Sequence, residues 1–234
     1  MEKFLIIDIE TIPIDNPEQA LEPFMENLRT RSKVDPMKVA AELADKKRNF
    51  IDKAALSPLS SRVACIGYAE VTMRDEQDLE TVANKVEYGM IKFGNEFAML
   101  MEFKALVEKY QHLVTFNGRS FDFPYLMFRA ALHDIPLKLP TYYKNTRDGH
   151  FDLAQHLADL SLITNLDSAQ QYVSMSKWCR YFGYPEKSMD SRNIKKYLQE
   201  GKEDEVYEYC IGDIEITFRL LKKFVHHYER SFSR

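Results

Sequence analysis

Asp8 and Glu10 stand two apart in Phe4-Leu-Ile-Ile-Asp-Ile-Glu-Thr-Ile12, a run rich in β-branched residues and closed by Pro13. In a strand, residues i and i+2 leave the same face, so both carboxylates project from one side of an otherwise apolar element. Ionised carboxylates in such a place are costly unless paired or bound to metal, and two on one face also repel. Two acids meeting solvent at a frayed strand end is one reading; a divalent cation bridging them is the other. Asp122 follows in Phe116-Asn-Gly-Arg-Ser-Phe-Asp-Phe-Pro-Tyr125, where a loop turns into a helix and an aspartate can serve as N-cap. Asp213 closes Tyr209-Cys-Ile-Gly-Asp213. In a helix this spacing puts Tyr209 and Asp213 on one face, where a Tyr–Asp hydrogen bond could simply tether helix to core. Taken together, Asp8, Glu10, Asp122 and Asp213 form the oxygen donor set that two hard cations need, with positions left for water and phosphate. Their four negative charges match two divalent ions, a pairing that can activate water and stabilise the leaving oxygen of a phosphodiester.

The elements that must position these residues are legible from periodicity. Phe4–Ile12 reads as a strand buried on both faces. From Pro13 to Ile66 there is no glycine, and Val39, Leu43, Phe50 and Ile51 recur at helical spacing between Pro36 and Ala55. Residues 14–61 are therefore expected to form a helical insertion after the first strand. Strands are expected over Arg62–Val71 and Val86–Phe93, giving an antiparallel meander, then a helix over Asn95–Tyr110. A short buried strand starts at His112 and ends at Asn117-Gly118, a turn signal. A helix from about Pro124 to Asp134 has its proline in the favoured first turn. Phe151 reads as a short strand, and Asp152 as the cap of a helix running to Leu160, with metal binding the alternative. Short helices follow over Ser176–Phe182 and Ile194–Leu198. A long amphipathic helix begins at Glu203 and runs to about Tyr228, with Val206, Cys210, Ile214, Phe218, Leu221 and Val225 near one stripe. Strands come early and helices dominate the second half. No linker divides the chain, so residues 1–234 read as one α/β domain.

Composition excludes several classes. At 45% hydrophobic and 29% charged, with no biased tract, the chain is neither disordered nor collagen-like. No stretch approaches the roughly 18 apolar residues of a membrane span, and the few apolar residues before Asp8 are too short a run for a secretory signal. Cys65, Cys179 and Cys210 are odd in number and form no CxxC, which suits reduced thiols in a cytoplasmic protein. A net charge of −4 argues against coating nucleic acid by bulk electrostatics. Charge is uneven, however: Leu28–Lys53 carries eight basic and four acidic residues. That segment is either a solvated helix face or a phosphate-contacting surface. Phosphate-loop, dinucleotide and zinc-protease motifs are absent. His226-His227 reads as a solvated helix end, and Trp178, beside Tyr181 and Phe182, as core rather than a base-stacking platform.

In this order, the motifs resemble those of the DEDD superfamily of 3′–5′ exonucleases on the ribonuclease-H-like fold. The chain is similar to the proofreading exonuclease domain of B-family DNA polymerases and to the stand-alone predicted exonucleases related to it. Asp8-Ile-Glu10-Thr11 matches the first motif, Asn117-Gly-Arg-Ser-Phe121-Asp122 the second, and Tyr209 with Asp213 the third. Where the histidine branch has a His five residues before the last Asp, this chain has Glu208. It therefore resembles the tyrosine (DEDDy) branch. The resemblance implies a mixed sheet of about five strands, the first three antiparallel, flanked by helices. It implies Asp8, Glu10, Asp122 and Asp213 as ligands of two Mg²⁺ or Mn²⁺ ions and Tyr209 as the residue orienting water. It places Asn117 and Phe121 along the terminal nucleotide and Thr11 and Ile12 near the 3′ hydroxyl and its base; Arg119 joins them by charge and proximity. Expected partners are single-stranded nucleic-acid 3′ ends, with DNA favoured, and a replication or repair protein; no membrane is expected. Residues 14–61 exceed the short connection of minimal members. Two alternatives stay open: a catalytically silent nucleic-acid-binding module, and a protein-interaction domain using the basic insertion.

Overall fold

Alternation along the first strand organises the molecule. In the computed structural model, β1 (Glu2–Pro13) is followed by β2 (Ser61–Met73), β3 (Lys85–Ile91), β4 (His112–Thr115) and β5 (His150–Asp152). The helices are α1 (Pro17–Met25), α2 (Pro36–Asp52), α3 (Glu96–Val107), α4 (Asp122–Leu132), α5 (Leu153–Ser161), α6 (Met175–Phe182), α7 (Ile194–Gln199) and α8 (Glu203–Phe224). Residues 2–25, 35–73, 85–92, 94–140, 149–161, 173–185 and 189–224 are described. Arg29, Arg31 and Lys33 of the basic stretch, Val225 and Tyr228 of the expected last helix, and His226-His227 lie outside the described residues.

The sheet order is β3-β2-β1-β4-β5. β1–β2 and β2–β3 pair antiparallel, while β4 runs parallel to both β1 and β5. The expected α/β class, the five strands and the antiparallel first three are all present. Phe4 and Ile6 pack against Leu153 and Leu157 of α5, Trp178 of α6 and Ile214 and Leu220 of α8. Leu5, Ile7 and Ile9 face the other way, against Leu100 and Phe103 of α3 and Phe123 and Leu126 of α4. Both faces of β1 are thus apolar until Asp8 and Glu10 interrupt the even-numbered row, on the side that α8 covers. Parallel pairing brings the carboxyl ends of β1, β4 and β5 to one edge, the usual place for a ligand site in such sheets.

Two devices hold α8 and α4 against the sheet. Gly67 lies opposite Asp8 in the β1–β2 register, and a Cβ there would stand 2.6 Å from Cys210 Sγ and 3.4 Å from Ile214. Glycine is therefore what lets α8 lie this close to β2. On the opposite face, the buried Glu96 carboxylate accepts from Val63 N (2.8 Å), from Arg129 Nε (2.9 Å) and Nη2 of α4, and pairs with His133 Nε2 at 2.9 Å. Burial opposes its ionisation, but the Arg129 and His133 bonds and the Val63 amide hold its pKa below the ordinary value. Arg129 also donates to Pro58 O, and Tyr125 Oη meets Ser61 Oγ at 2.6 Å. α4 is thereby pinned along its length to the start of β2.

The insertion after β1 is helical as expected, although α2 ends at Asp52 and a short 3₁₀ turn takes over at Ala54–Leu56. Asp35 caps α2 by accepting from Met37 N and Lys38 N, with Pro36 at the first helical position. None of the described side chains of α2 is buried, and Met37 is 84% exposed. Trp178 lies in the core, as its neighbours in sequence suggested. Among the described residues, no helix is long and apolar enough to cross a membrane.

Candidate metal centre and nucleotide-contacting loop

Asp8, Glu10 and Asp213 converge. Each offers a carboxylate oxygen, and the three oxygens lie within 4.8 Å of one another, joining the first strand to the last helix. Oxygens sharing one Mg²⁺ at about 2.1 Å stand at most about 4.2 Å apart, so small side-chain shifts suffice to close this cluster on a hard cation. Glu10 and Asp213 are buried while Asp8 is half-buried, which leaves the cluster a route to solvent. A register shift between Glu10 and Thr11 places an extra residue, Ala64, in β2 beside the site, a common position for a β-bulge.

Asp122 stands next to this cluster rather than within it. It is the first residue of α4, not its N-cap: Phe121 holds that position without a side-chain cap bond. The helix begins two residues before Pro124, which the missing proline amide permits in a first turn. Freed from capping, Asp122 Oδ1 accepts from Ile9 N at 3.1 Å, the amide between Asp8 and Glu10. Tyr209 lies one turn before Asp213, its ring buried with Ile12, Ala64, Cys65 and Cys210.

The loop after β4 follows from its Asn-Gly pair. Asn117 adopts φ +68°, a left-handed conformation that asparagine tolerates. Gly118 is demanded by space, since a Cβ would meet the Thr115 side chain at 2.4 Å. Asn117 Oδ1 is buried with no hydrogen-bond partner among the described residues. Phe121 stacks at a tilt on Tyr125, with ring centroids 5.6 Å apart, and Arg119 donates to Gln155 Oε1 at 2.7 Å. The remaining nucleotide candidates turn inward: the Thr11 hydroxyl donates to Ala55 O at 2.6 Å, and Ile12 is 5% exposed. Asp152 is a cap, as expected, and more. It accepts from Ala154 N and Gln155 N of α5, and also from Asn117 N and Arg119 N. Burial pushes its carboxyl up, against the opposing pull of those four amides.

Three further groups were missed by sequence reasoning. Lys195 of α7 donates to the carbonyls of Pro13 and Ile14 at the end of β1. Cys65 and Cys210 hydrogen-bond behind the acidic cluster; that bond, burial, and the nearby Asp8 and Glu10 push the Cys210 thiol well up. His150 meets Thr115 Oγ1 at 2.8 Å and lies against Phe123, its pKa pulled down to about 3 by burial and then by Arg119 and His156. The folded state refuses a proton that the unfolded chain accepts below about pH 6.5. Stability is therefore full above that pH and is lost as pH falls toward the folded value. Between pH 7 and pH 5 the loss is expected to be on the order of 1–2 kcal/mol. Urea midpoints measured across that range should fall in the native protein and stay flatter in His150→Gln.

Comparison with known proteins gives a consistent family. The family described as predicted 3′–5′ exonuclease related to the exonuclease domain of PolB matches residues 57–232. The match includes Asn117–Asp122 and Tyr209–Asp213 and begins after β1. The catalytic subunit of DNA polymerase epsilon from Saccharomyces cerevisiae is 24% identical over 224 residues, covering 87% of this chain and 10% of that protein. Its counterpart from Schizosaccharomyces pombe is 28% identical over 122 residues, 49% of this chain and 5% of that one. A DNA polymerase of Pyrococcus glycovorans is 25% identical over 173 residues, 66% of this chain and 22% of its own. The chain thus spans a small part of the length of these relatives. Among solved structures, the family B DNA polymerase of Pyrobaculum calidifontis superposes with a TM-score of 0.54 at 15% identity, covering 96% of this chain and 25% of that one. At that identity the likeness speaks for the fold.

Proposed function

Because the chain belongs to the predicted 3′–5′ exonucleases related to the exonuclease domain of PolB, we propose that it removes nucleotides from the 3′ end of single-stranded nucleic acid, DNA in preference to RNA. The observation that carries this is the meeting of Asp8, Glu10 and Asp213, with Asp122 bonded to the amide between the first two. An all-oxygen donor set of this kind fits hard divalent cations. We assign the three clustered carboxylates and Asp122 to two Mg²⁺ or Mn²⁺ ions. Such ions, when bound, lower the pKa of an attacking water and neutralise charge on the leaving oxygen. Tyr209 orients that water. Asn117 presents its amide to the terminal nucleotide, Phe121 packs beside it, and Arg119 adds positive charge at the same edge. Thr11 and Ile12 are assigned to the nucleotide on the family resemblance alone. Residues 1–234 act as one exonuclease domain, with 14–61 inserted in it. Three buried thiols suit a reducing, cytoplasmic setting, and the polymerase relatives suggest a replication or repair protein as partner.

The test is digestion of oligonucleotides labelled at either end: single-stranded DNA, single-stranded RNA and blunt duplex, each with Mg²⁺, Mn²⁺ or chelator. The expected result is stepwise, metal-dependent release from the 3′ end, fastest on single-stranded DNA. Internal cuts, release from the 5′ end, or indifference to chelator would overturn the reading. A silent binding module would show none of these, but it offers no reason to gather three carboxylates in one place.

The basic insertion bears on binding. Lys47 and Arg48 are exposed and Lys46 is half-buried on α2. If the three contact phosphates, changing all three to Ala flattens the salt dependence of single-strand binding by about 2 units of log–log slope, at roughly 0.7 per contact. A slope equal to that of the native protein would return α2 to an ordinary solvated face.

A further inference from the structure

The geometry points to Asp152 as the residue that positions the Asn117–Arg119 loop for catalysis, acting on the substrate through that loop rather than as a metal ligand. This rests on the exonuclease reading above. Asp152 is 3% exposed at the end of β5, and both of its oxygens are in use. Oδ1 accepts from Asn117 N at 2.9 Å, Ala154 N at 3.1 Å and Gln155 N at 3.4 Å. Oδ2 accepts from Arg119 N at 2.9 Å. A carboxylate meeting four amides has little capacity left for a cation, and among the described residues it is not part of the acidic cluster.

The loop amide between those two is held as well. Gly118 N donates to Thr115 Oγ1 at 3.1 Å, and that oxygen meets His150 Nε2 at 2.8 Å. Three consecutive N–H groups, from Asn117 to Arg119, thus point into side chains of β4 and β5. The outer two converge on the Asp152 carboxylate, and the middle one meets the Thr115 hydroxyl. With its backbone pinned at φ +68°, Asn117 keeps its amide oxygen buried and without a partner among the described residues. The Arg119 guanidinium is tied to Gln155, on the same helix that Asp152 caps. One buried carboxylate therefore couples the start of α5 to the loop that leads into Asp122.

Asp152→Asn separates the two roles. The amide keeps one oxygen for the α5 cap and for Asn117, but turns an NH₂ toward the Arg119 amide, donor against donor. Four outcomes are expected. The thermal midpoint should stay within about 4 °C, because asparagine caps as well as aspartate. Metal affinity, read by Mn²⁺ titration, should be unchanged. On single-stranded DNA, kcat/KM should fall about 10–100-fold with most of the loss in KM, as expected for misplaced binding groups. Amide exchange over residues 117–121 should speed up while α5 keeps its protection. Should Asp152→Asn unfold, Asp152→Ser carries the same test, since its hydroxyl caps α5 but is too short for the loop. Native kinetics with native loop exchange would overturn the proposal, leaving Asp152 as a cap only; lost Mn²⁺ affinity would overturn it in favour of a role in the acidic cluster. If the native protein cleaves nothing, the exonuclease reading fails, and loop exchange still decides whether Asp152 sets the loop.

Discussion

Asp213→Asn and Asp8→Asn are each expected to abolish nucleotide release while leaving the metal-free protein as stable as the native one, or more so. Both residues belong to a cluster whose carboxylate oxygens lie within 4.8 Å of one another, much of it closed to water. At about 4 Å and an effective dielectric near 20, two like charges repel by about 4 kcal/mol, a repulsion that a divalent cation between them would offset. Asparagine removes one charge, keeps the shape and retains an oxygen. It relieves repulsion in the apo protein and weakens the hold on a divalent ion. A gain of about 1 kcal/mol would raise the thermal midpoint by roughly 2–4 °C for a chain of this size. Cleavage should fall at least about 1000-fold, since the chemistry assigned here depends on the ions. Calorimetry without metal and single-turnover cleavage with Mn²⁺ read the two halves separately. Native cleavage rates in either variant would remove the cluster from the reaction. A large loss of apo stability would instead show that the carboxylate is a structural tie.

How far the site was legible depends on whether the signal was local. β1 stood out because its two acids interrupt an apolar run, and the register places them where that run predicts. Spacing put Tyr209 and Asp213 on one face of α8, and both are buried. Asp122 was legible as a polar anomaly, but its partner was not, because Ile9 N lies 113 residues away. Glu96 looks like any acid in a first helical turn. Only the packing of α3 against α4 reveals it as the acceptor for Arg129 and His133. Asp152 shows its capping role in sequence because a cap is a contact within three residues. Its bonds to Asn117 and Arg119 exist only because β4 and β5 pair in parallel. Gly67 carries no motif at all; its need for glycine is set by where α8 docks. The helix over α2 was predictable from spacing, whereas the absence of a buried side chain among its described residues was not.

Tyr209→Phe tests the subclass assignment most directly. The ring sits among Ile12, Ala64, Cys65 and Cys210, one turn from Asp213, and phenylalanine preserves that packing. A phenol with a pKa near 10 is a poor base at neutral pH, so the role proposed for its hydroxyl is to orient water rather than to deprotonate it. All four carboxylates survive the substitution. Metal affinity and single-stranded DNA binding are therefore expected to match the native protein, while cleavage slows by about 10–1000-fold, the range that loss of positioning produces. The damage should be smaller than that of Asp213→Asn, because an unoriented water still reacts at an intact site. A tether would behave differently: removing a buried hydroxyl's hydrogen bond costs about 1 kcal/mol of stability and leaves the rate alone. Measuring urea midpoint, Mn²⁺ affinity and single-turnover rate on one preparation separates the roles. A lower midpoint with an unchanged rate, or lost metal binding, would show that Tyr209 holds α8 to the sheet and that some other group orients the water.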